Sequence, residues 1–247
     1  FTDIELLNAI DSRMKKINLL QKNYTPDDKG MQEMLQEFEG SNALQHITEN
    51  RPENHYRKKQ VIYSKGNHPQ KLFFVKSGKV KTYIINEDGK GLTIGLYTDG
   101  DFLGYTALLE GGIYKETAEA IDDCIIAEIP TETFEKLLNY NPEATKKIIQ
   151  LMAKNIRDKE KQMLDIAYNS LRKRVANALM ILLTKYRKPS EDNFSIHLSR
   201  EDLANIAGTA TESLIRTLSD FKTEKLIEIN GSKITVLDEK KLSLMLN

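Results

Sequence analysis

The sequence predicts an α+β chain: an antiparallel β-roll (jelly roll), then a long helix, then a C-terminal winged helix-turn-helix. Three observations carry that expectation. Residues 59–129 are short apolar stretches punctuated by glycine-bearing turns. From Ile149 onward apolar residues recur in steps of three and four. Beyond Ser199, two short helical patterns meet at Gly208 and are followed by two β-type runs around Asn230-Gly231.

Residues 1–55 read as an N-terminal helical segment. Between Thr2 and Leu20, Ile4, Leu7, Ile10, Met14 and Ile17 recur at helical spacing, and Thr2 or Asp3 can cap the start. Thr25-Pro26-Asp27-Asp28-Lys29-Gly30 is a turn-rich linker, and Met31–Phe38 is a second helical stretch. Polar loops with Gly40-Ser41 and Arg51-Pro52-Glu53 close the segment.

Residues 56–140 are assigned to the roll. Strands are expected over Val61–Tyr63, Leu72–Val75, Val80–Ile85, Leu92–Tyr97, Thr117–Ile121 and Ile125–Ile129, because β-branched and aromatic residues suit a pleated, half-buried surface. Lys65-Gly66-Asn67, Ser77-Gly78, Glu87-Asp88-Gly89 and Thr98-Asp99-Gly100-Asp101 supply the turns. Many short strands at even spacing imply a closed antiparallel architecture.

Helix returns after Pro130, and residues 141–170 are assigned to a dimerisation helix. Ile149, Met152, Ile156, Lys159, Met163, Ile166 and Ser170 form a heptad stripe with one polar interruption. Charged residues crowd both flanks, so the apolar strip is narrow and suits a partner helix better than a broad core. Ile149, Met152, Ile156, Met163 and Ile166 are the expected dimer seam.

Residues 171–247 form the last domain. Its first helix, Arg172–Tyr186, is broadly apolar and expected to be buried. Ser199 followed by Asp202 fits an N-cap with an acid three residues on, and Gly208 fits a left-handed turn. Thr209-Ala210-Thr211-Glu212 repeats the capping pattern and opens a second helix with Leu214, Leu218 and Phe221 inward. Small residues, Ala204 and Ala207, stand where the two helices cross. Leu226–Ile229 and Lys233–Val236 around Asn230-Gly231-Ser232 make the hairpin, or wing.

This second helix presents Thr211, Glu212, Ser213 and Arg216 outward, and their chemistry suits base edges. Arginine donates twice to guanine, and a carboxylate accepts from the cytosine amino group. Glu212 and Arg216 are four apart, hence on one face; a surface salt bridge between them is the bland alternative. The expected DNA-contacting set is Ser199, Arg200, Thr209, Thr211, Glu212, Ser213, Arg216 and Lys233.

Composition narrows the classes that remain. With 40% hydrophobic and 29% charged residues over 247 positions, the chain reads as globular, and no apolar run approaches the roughly 18 residues a bilayer span needs. No basic start with an apolar middle marks a signal peptide, so a cytoplasmic location is expected. Net charge is zero, but residues 1–55 hold 6 Lys+Arg against 10 Asp+Glu, and residues 168–247 hold 13 against 10. A basic excess at the C-terminal end is compatible with phosphate binding. The single cysteine, Cys124, lies in an apolar run and reads as buried and inert. No phosphate loop, nucleophile–base set or metal spacing is present among His46, His55, His68 and His197 and their neighbours. Neither an enzyme nor a bound cofactor is expected. A sensor module acting through protein–protein contacts without specific DNA binding is the competing class.

The order of these parts resembles the CRP/FNR family of transcription regulators: a cyclic-nucleotide-type roll, a dimerising helix and a winged helix-turn-helix. The resemblance runs from about Tyr56 to Val236 and is most specific at Gly100-Asp101-Phe102-Leu103-Gly104 and at Gly208–Ile227. It implies a homodimer on double-stranded DNA, working with RNA polymerase and controlled by an unknown small effector in the roll, with no membrane role. Gly104, Tyr105, Glu116, Thr117 and Ala118 fall at the effector pocket. Family members that bind cAMP carry Phe-x-Gly-Glu for the ribose and Arg-Ser/Thr-Ala for the cyclic phosphate. Here Tyr105 stands at the first Glu and Glu116 at the Arg, which opposes an anion, so cAMP is not the expected effector. In the reading helix, Thr211-Glu212 replaces the CAP-like Arg-Glu, and Ile215 stands where the FNR-like pattern has Ser. The helix Phe1–Arg13 resembles the last helix of a response-regulator receiver domain, which implies an alternative input by upstream phosphorylation.

Overall fold

The computed structural model describes residues 47–49, 51–187 and 194–246. The helices expected over Thr2–Leu20 and Met31–Phe38, and with them the receiver resemblance, lie outside the described residues. The described residues divide into two compact units, one uniting Pro52–Glu128 with those from Lys154 onward, the other holding Ile129–Ala153 with those up to Arg51.

In the larger unit, β1 (Glu53–Tyr56), β2 (Val61–Tyr63), β3 (Lys71–Ser77), β4 (Val80–Ile85), β5 (Gly91–Tyr97) and β6 (Phe102–Leu103) precede helix α1 (Tyr105–Glu110), β7 (Thr117–Ala120) and β8 (Cys124–Pro130). They form two four-stranded sheets of order β1-β8-β3-β6 and β2-β7-β4-β5. Between them Tyr63, Phe73, Val75, Leu103, Ala118 and Ile126 make the roll's buried cluster. The Ser77-Gly78 turn needs glycine. Gly78 has φ 102, and a Cβ there would lie 2.6 Å from the Asp123 carbonyl oxygen and 2.7 Å from Cys124 Sγ.

Every strand anticipated in the roll is present, but β1, β6 and α1 were not anticipated. Glu53-Asn54-His55-Tyr56 has no apolar alternation because it is an edge strand, made by its backbone register to β8 (Glu53↔Ala127 through Tyr56↔Cys124). By composition Glu53 suits a polar loop; backbone pairing to Ala127 overrides that.

Cys124 is buried, and its thiol donates to the carbonyls of Asp122 (3.1 Å) and Lys79 (3.2 Å). Burial, then the Asp122 carboxylate, push the thiol up to about 11. We expect a charged thiol reagent at pH 8 to leave Cys124 unmodified in the native protein and to label it fully in denaturant; rapid native labelling would contradict this packing.

In the smaller unit, α2 (Thr131–Tyr140) buries Phe134 and Leu137. The next helix, α3 (Pro142–Tyr168), starts with proline at its first position, where no amide is needed, and Asn141 Oδ1 accepts the Ala144 N–H at 2.8 Å. Its residues from Lys154 belong to the larger unit. Along the anticipated seam, Ile149, Ile156, Met163 and Ile166 are 42%, 55%, 71% and 39% exposed, large values for apolar side chains.

The C-terminal part of the larger unit contains α4 (Leu171–Tyr186), β9 (Ser195–His197), α5 (Arg200–Ala207), α6 (Thr211–Thr223), β10 (Ile227–Asn230), β11 (Lys233–Val236) and α7 (Glu239–Ser243). Val175, Leu179, Leu182, Leu203, Leu214, Phe221 and Ile234 share one buried cluster. The wing is wider than anticipated: β9 joins β11 to give the order β10-β11-β9. Its tip also differs. Asn230 pairs with Lys233, so the loop is Gly231-Ser232 with only Gly231 at positive φ, and Asn230 is the last strand residue.

Candidate nucleic-acid interface

Helix α5 begins at an N-cap made by Ser199, whose Oγ accepts the Asp202 N–H at 3.0 Å and donates to Asp202 Oδ2 at 2.5 Å. It ends at Gly208, with φ 61 and ψ 44. The Thr209 N–H bonds the Ala204 carbonyl (3.0 Å), and Arg174 bonds the Gly208 carbonyl (2.7 Å). These contacts set the angle between α5 and α6 through buried Leu203, Ala204, Ala207, Leu214 and Leu218.

The second cap is a correction. Thr209 is consumed by the turn, so the cap position falls on Ala210, which has no side-chain oxygen to close it. Thr211 and Ser213 are partly exposed, and Glu212 and Arg216 are exposed on the first turns of α6. Thr217 is turned inward, its hydroxyl bonded to the Ser213 carbonyl at 3.0 Å.

Ile215, outside the expected contact set, is 49% exposed beside Arg216. The signal was available: an isoleucine on the outer face of an amphipathic helix is out of place unless something apolar meets it.

Arg200 opens α5. Its Nη2 donates to the Gly231 carbonyl at 2.9 Å, tying the start of α5 to the wing tip. Lys233 opens β11 opposite His197, next to the same tip.

A second cluster sits where α5 meets the sheet β2-β7-β4-β5. Lys81 of β4 is 4% exposed and Asp202 is 3% exposed. Their Nζ–Oδ1 distance is 2.5 Å, and Lys59 Nζ reaches Asp202 at 3.2 Å. Glu119 Oε1 lies 3.2 Å from Lys81 Nζ without a well-directed hydrogen bond, so that contact is electrostatic. Burial alone would raise the Asp202 carboxyl, but Lys81, Ser199 and Lys59 together hold it below its ordinary value. Burial would likewise lower Lys81, and Asp202 with Glu119 raise it instead. Both groups stay charged.

In the roll, the anticipated effector residues are gathered around aromatic rings. Gly104 (φ 84) leads into Tyr105, which is 4% exposed and bonded by the Asn155 amide of α3. Tyr63 stacks on Tyr114 at 3.9 Å and on Phe73 at 5.6 Å. Glu116 accepts from Tyr63 at 3.5 Å. Burial first and Glu116 second push the Tyr63 and Tyr114 phenols up, Tyr114 to about 12. Thr117 Oγ1 is taken by the Lys65 N–H (3.1 Å), and Ala118 is fully buried. Lys115 is 70% exposed and paired with Glu110, so it does not replace the missing cation. Among the described residues no group of His, Cys, Asp and Glu could hold a metal ion, and no helix is long and apolar enough to cross a membrane.

Residues 53–141 match the cyclic nucleotide-binding domain, and residues 173–245 match the Crp-like helix-turn-helix domain. The fumarate and nitrate reduction regulatory protein of Vibrio cholerae is 27% identical over 188 residues, covering 75% of both chains. A structure assigned to the CRP/FNR family from Eubacterium rectale is 28% identical, with TM-score 0.65 over 80% of this chain and 90% of its own. FixK2 from Bradyrhizobium japonicum shares the fold at TM-score 0.70 and 24% identity, over 78% of this chain and 96% of its own.

Proposed function

We propose that this chain, which belongs to the CRP/FNR family of transcription regulators, is a cytoplasmic homodimer that reads a palindromic DNA site. The observation that carries the reading is the exposed pair Glu212 and Arg216, one helical turn apart on a helix whose other face is locked into a buried core. Arg216 takes a guanine, Glu212 takes the paired cytosine or its neighbour, and Ile215 offers an apolar contact for a thymine methyl. Ser199 caps α5, Thr209 closes the turn, Thr211 and Ser213 open α6, and Arg200 and Lys233 stand at the wing tip, and this reading gives them the backbone contacts that fix register. The stripe Ile149, Met152, Ile156, Met163, Ile166 supplies the two-fold partner surface. It places two reading helices about one DNA turn apart.

Its output acts through RNA polymerase, and its input enters at the roll or through an upstream phosphorylated receiver; no catalytic step is required of it. Binding to duplex DNA that weakens steeply as salt rises tests the proposal. Absence of DNA affinity at low salt would favour a module working through protein contacts alone.

The effector is not cAMP in this reading. A cyclic phosphate would meet Glu116 and Tyr63 instead of a cation, at an uncompensated electrostatic cost. Calorimetric titration with cAMP is expected to give no heat above dilution. Micromolar binding would overturn this account of the pocket.

A further inference from the structure

We propose that Lys81 of the roll is a positioning residue for DNA reading: paired with Asp202, it holds the helix-turn-helix on the sheet in its reading-competent orientation. This rests on the DNA-binding function proposed above. Asp202 has two tasks. It completes the cap of α5 with Ser199 and also anchors a neutral cluster of Lys59, Lys81, Glu119 and Asp202. A cap needs neither roll lysine. Two lysines from separate strands or turns converging on one helix carboxylate fix where α5 sits, and α6 rides on α5.

The surroundings agree. Lys59 has φ 70, an unfavourable backbone for lysine, and from that turn its Nζ lies on Asp202. Gly91 of β5 abuts Asn205, and Leu92 with Ile166 packs at Gly208. Lys185 pairs with Asp101 at 2.6 Å. With the domain docked in this way, Glu212, Ile215 and Arg216 remain exposed, so docking does not cover the reading face. A reader free to swing must give up that freedom on binding a palindrome, and a pre-set one need not. Ile166 consequently has a part within its own chain beside its place at the end of the seam.

A disulfide staple separates positioning from folding. A Cβ built on Gly91 lies 3.2 Å from Asn205 Cγ, where a cysteine sulfur would sit, so Gly91→Cys with Asn205→Cys fits a cross-link that only the docked arrangement allows. Lys81→Met leaves Asp202 with Lys59 alone. It is expected to weaken affinity for the selected DNA site about tenfold or more, as the competent fraction falls, with base preference unchanged. The oxidised staple in the Lys81→Met chain is expected to restore affinity to within about twofold of the native chain, and reduction to remove the restoration. Lys59→Ala, at the exposed rim of the cluster, is expected to show a smaller loss and guards against misfolding of Lys81→Met.

The rate of cross-linking without DNA, slower in Lys81→Met, reads docking directly. It therefore tells a failed latch from a chain that does not bind DNA at all. Unchanged affinity in both lysine variants, a staple that does not form, or a staple that weakens DNA binding in the otherwise native chain would each overturn the proposal.

Discussion

Replacing Arg216 with alanine is expected to cost about 1–3 kcal/mol per half-site and to relax preference at one base pair while leaving the others intact. The side chain is exposed and α6 is held by Leu214, Leu218 and Phe221, so the substitution removes donors without disturbing the fold. Lys233→Ala makes the contrast. As a backbone contact it is expected to weaken every sequence alike and to flatten the salt dependence by about one phosphate's worth. Arg200→Ala is expected to do the same and also to loosen the wing, since its hydrogen bond to Gly231 is lost. Affinities for the selected site and for point-substituted sites, at two salt concentrations, check both. Equal losses on all sequences for Arg216→Ala would make it a backbone contact and place the helix differently in the groove.

The second large effect concerns assembly. Ile156 is 55% exposed at the centre of the α3 stripe, and Met163 farther along is 71% exposed. Ile156→Asp puts a carboxylate where two copies of the stripe would meet. Burying that charge costs several kcal/mol, so the dimer is expected to give way to the 28.2 kDa monomer. Sedimentation equilibrium with and without the substitution decides it. A variant that stays dimeric at micromolar concentration would move the interface elsewhere.

How much of this was legible in the sequence follows from what each element relies on. The roll's inner strands could be read because β-branched and aromatic residues alternate between Gly78, Gly89 and Gly100. The cap at Ser199 and the turn at Gly208 could be read because each needs a particular residue type for a local reason. The Glu53–Tyr56 strand could not, since it is defined by backbone partners 70 or so residues away and not by its own side chains. The second cap failed by one residue because Thr209 was needed to close the turn. Lys81 was invisible for a different reason. In β4 it alternates as a surface residue would, and only the fold brings Asp202 and Glu119 to it. Ile215 is legible for a local reason, since an isoleucine on the outer face of an amphipathic helix breaks its pattern.

Selection of bound sequences from a random duplex library tests the central claim most directly. The account predicts an enriched inverted repeat, its half-sites centred about 10 base pairs apart, with a G·C pair at the same place in each half. Recovery of no enriched sequence, or of a single unrepeated element, would contradict it.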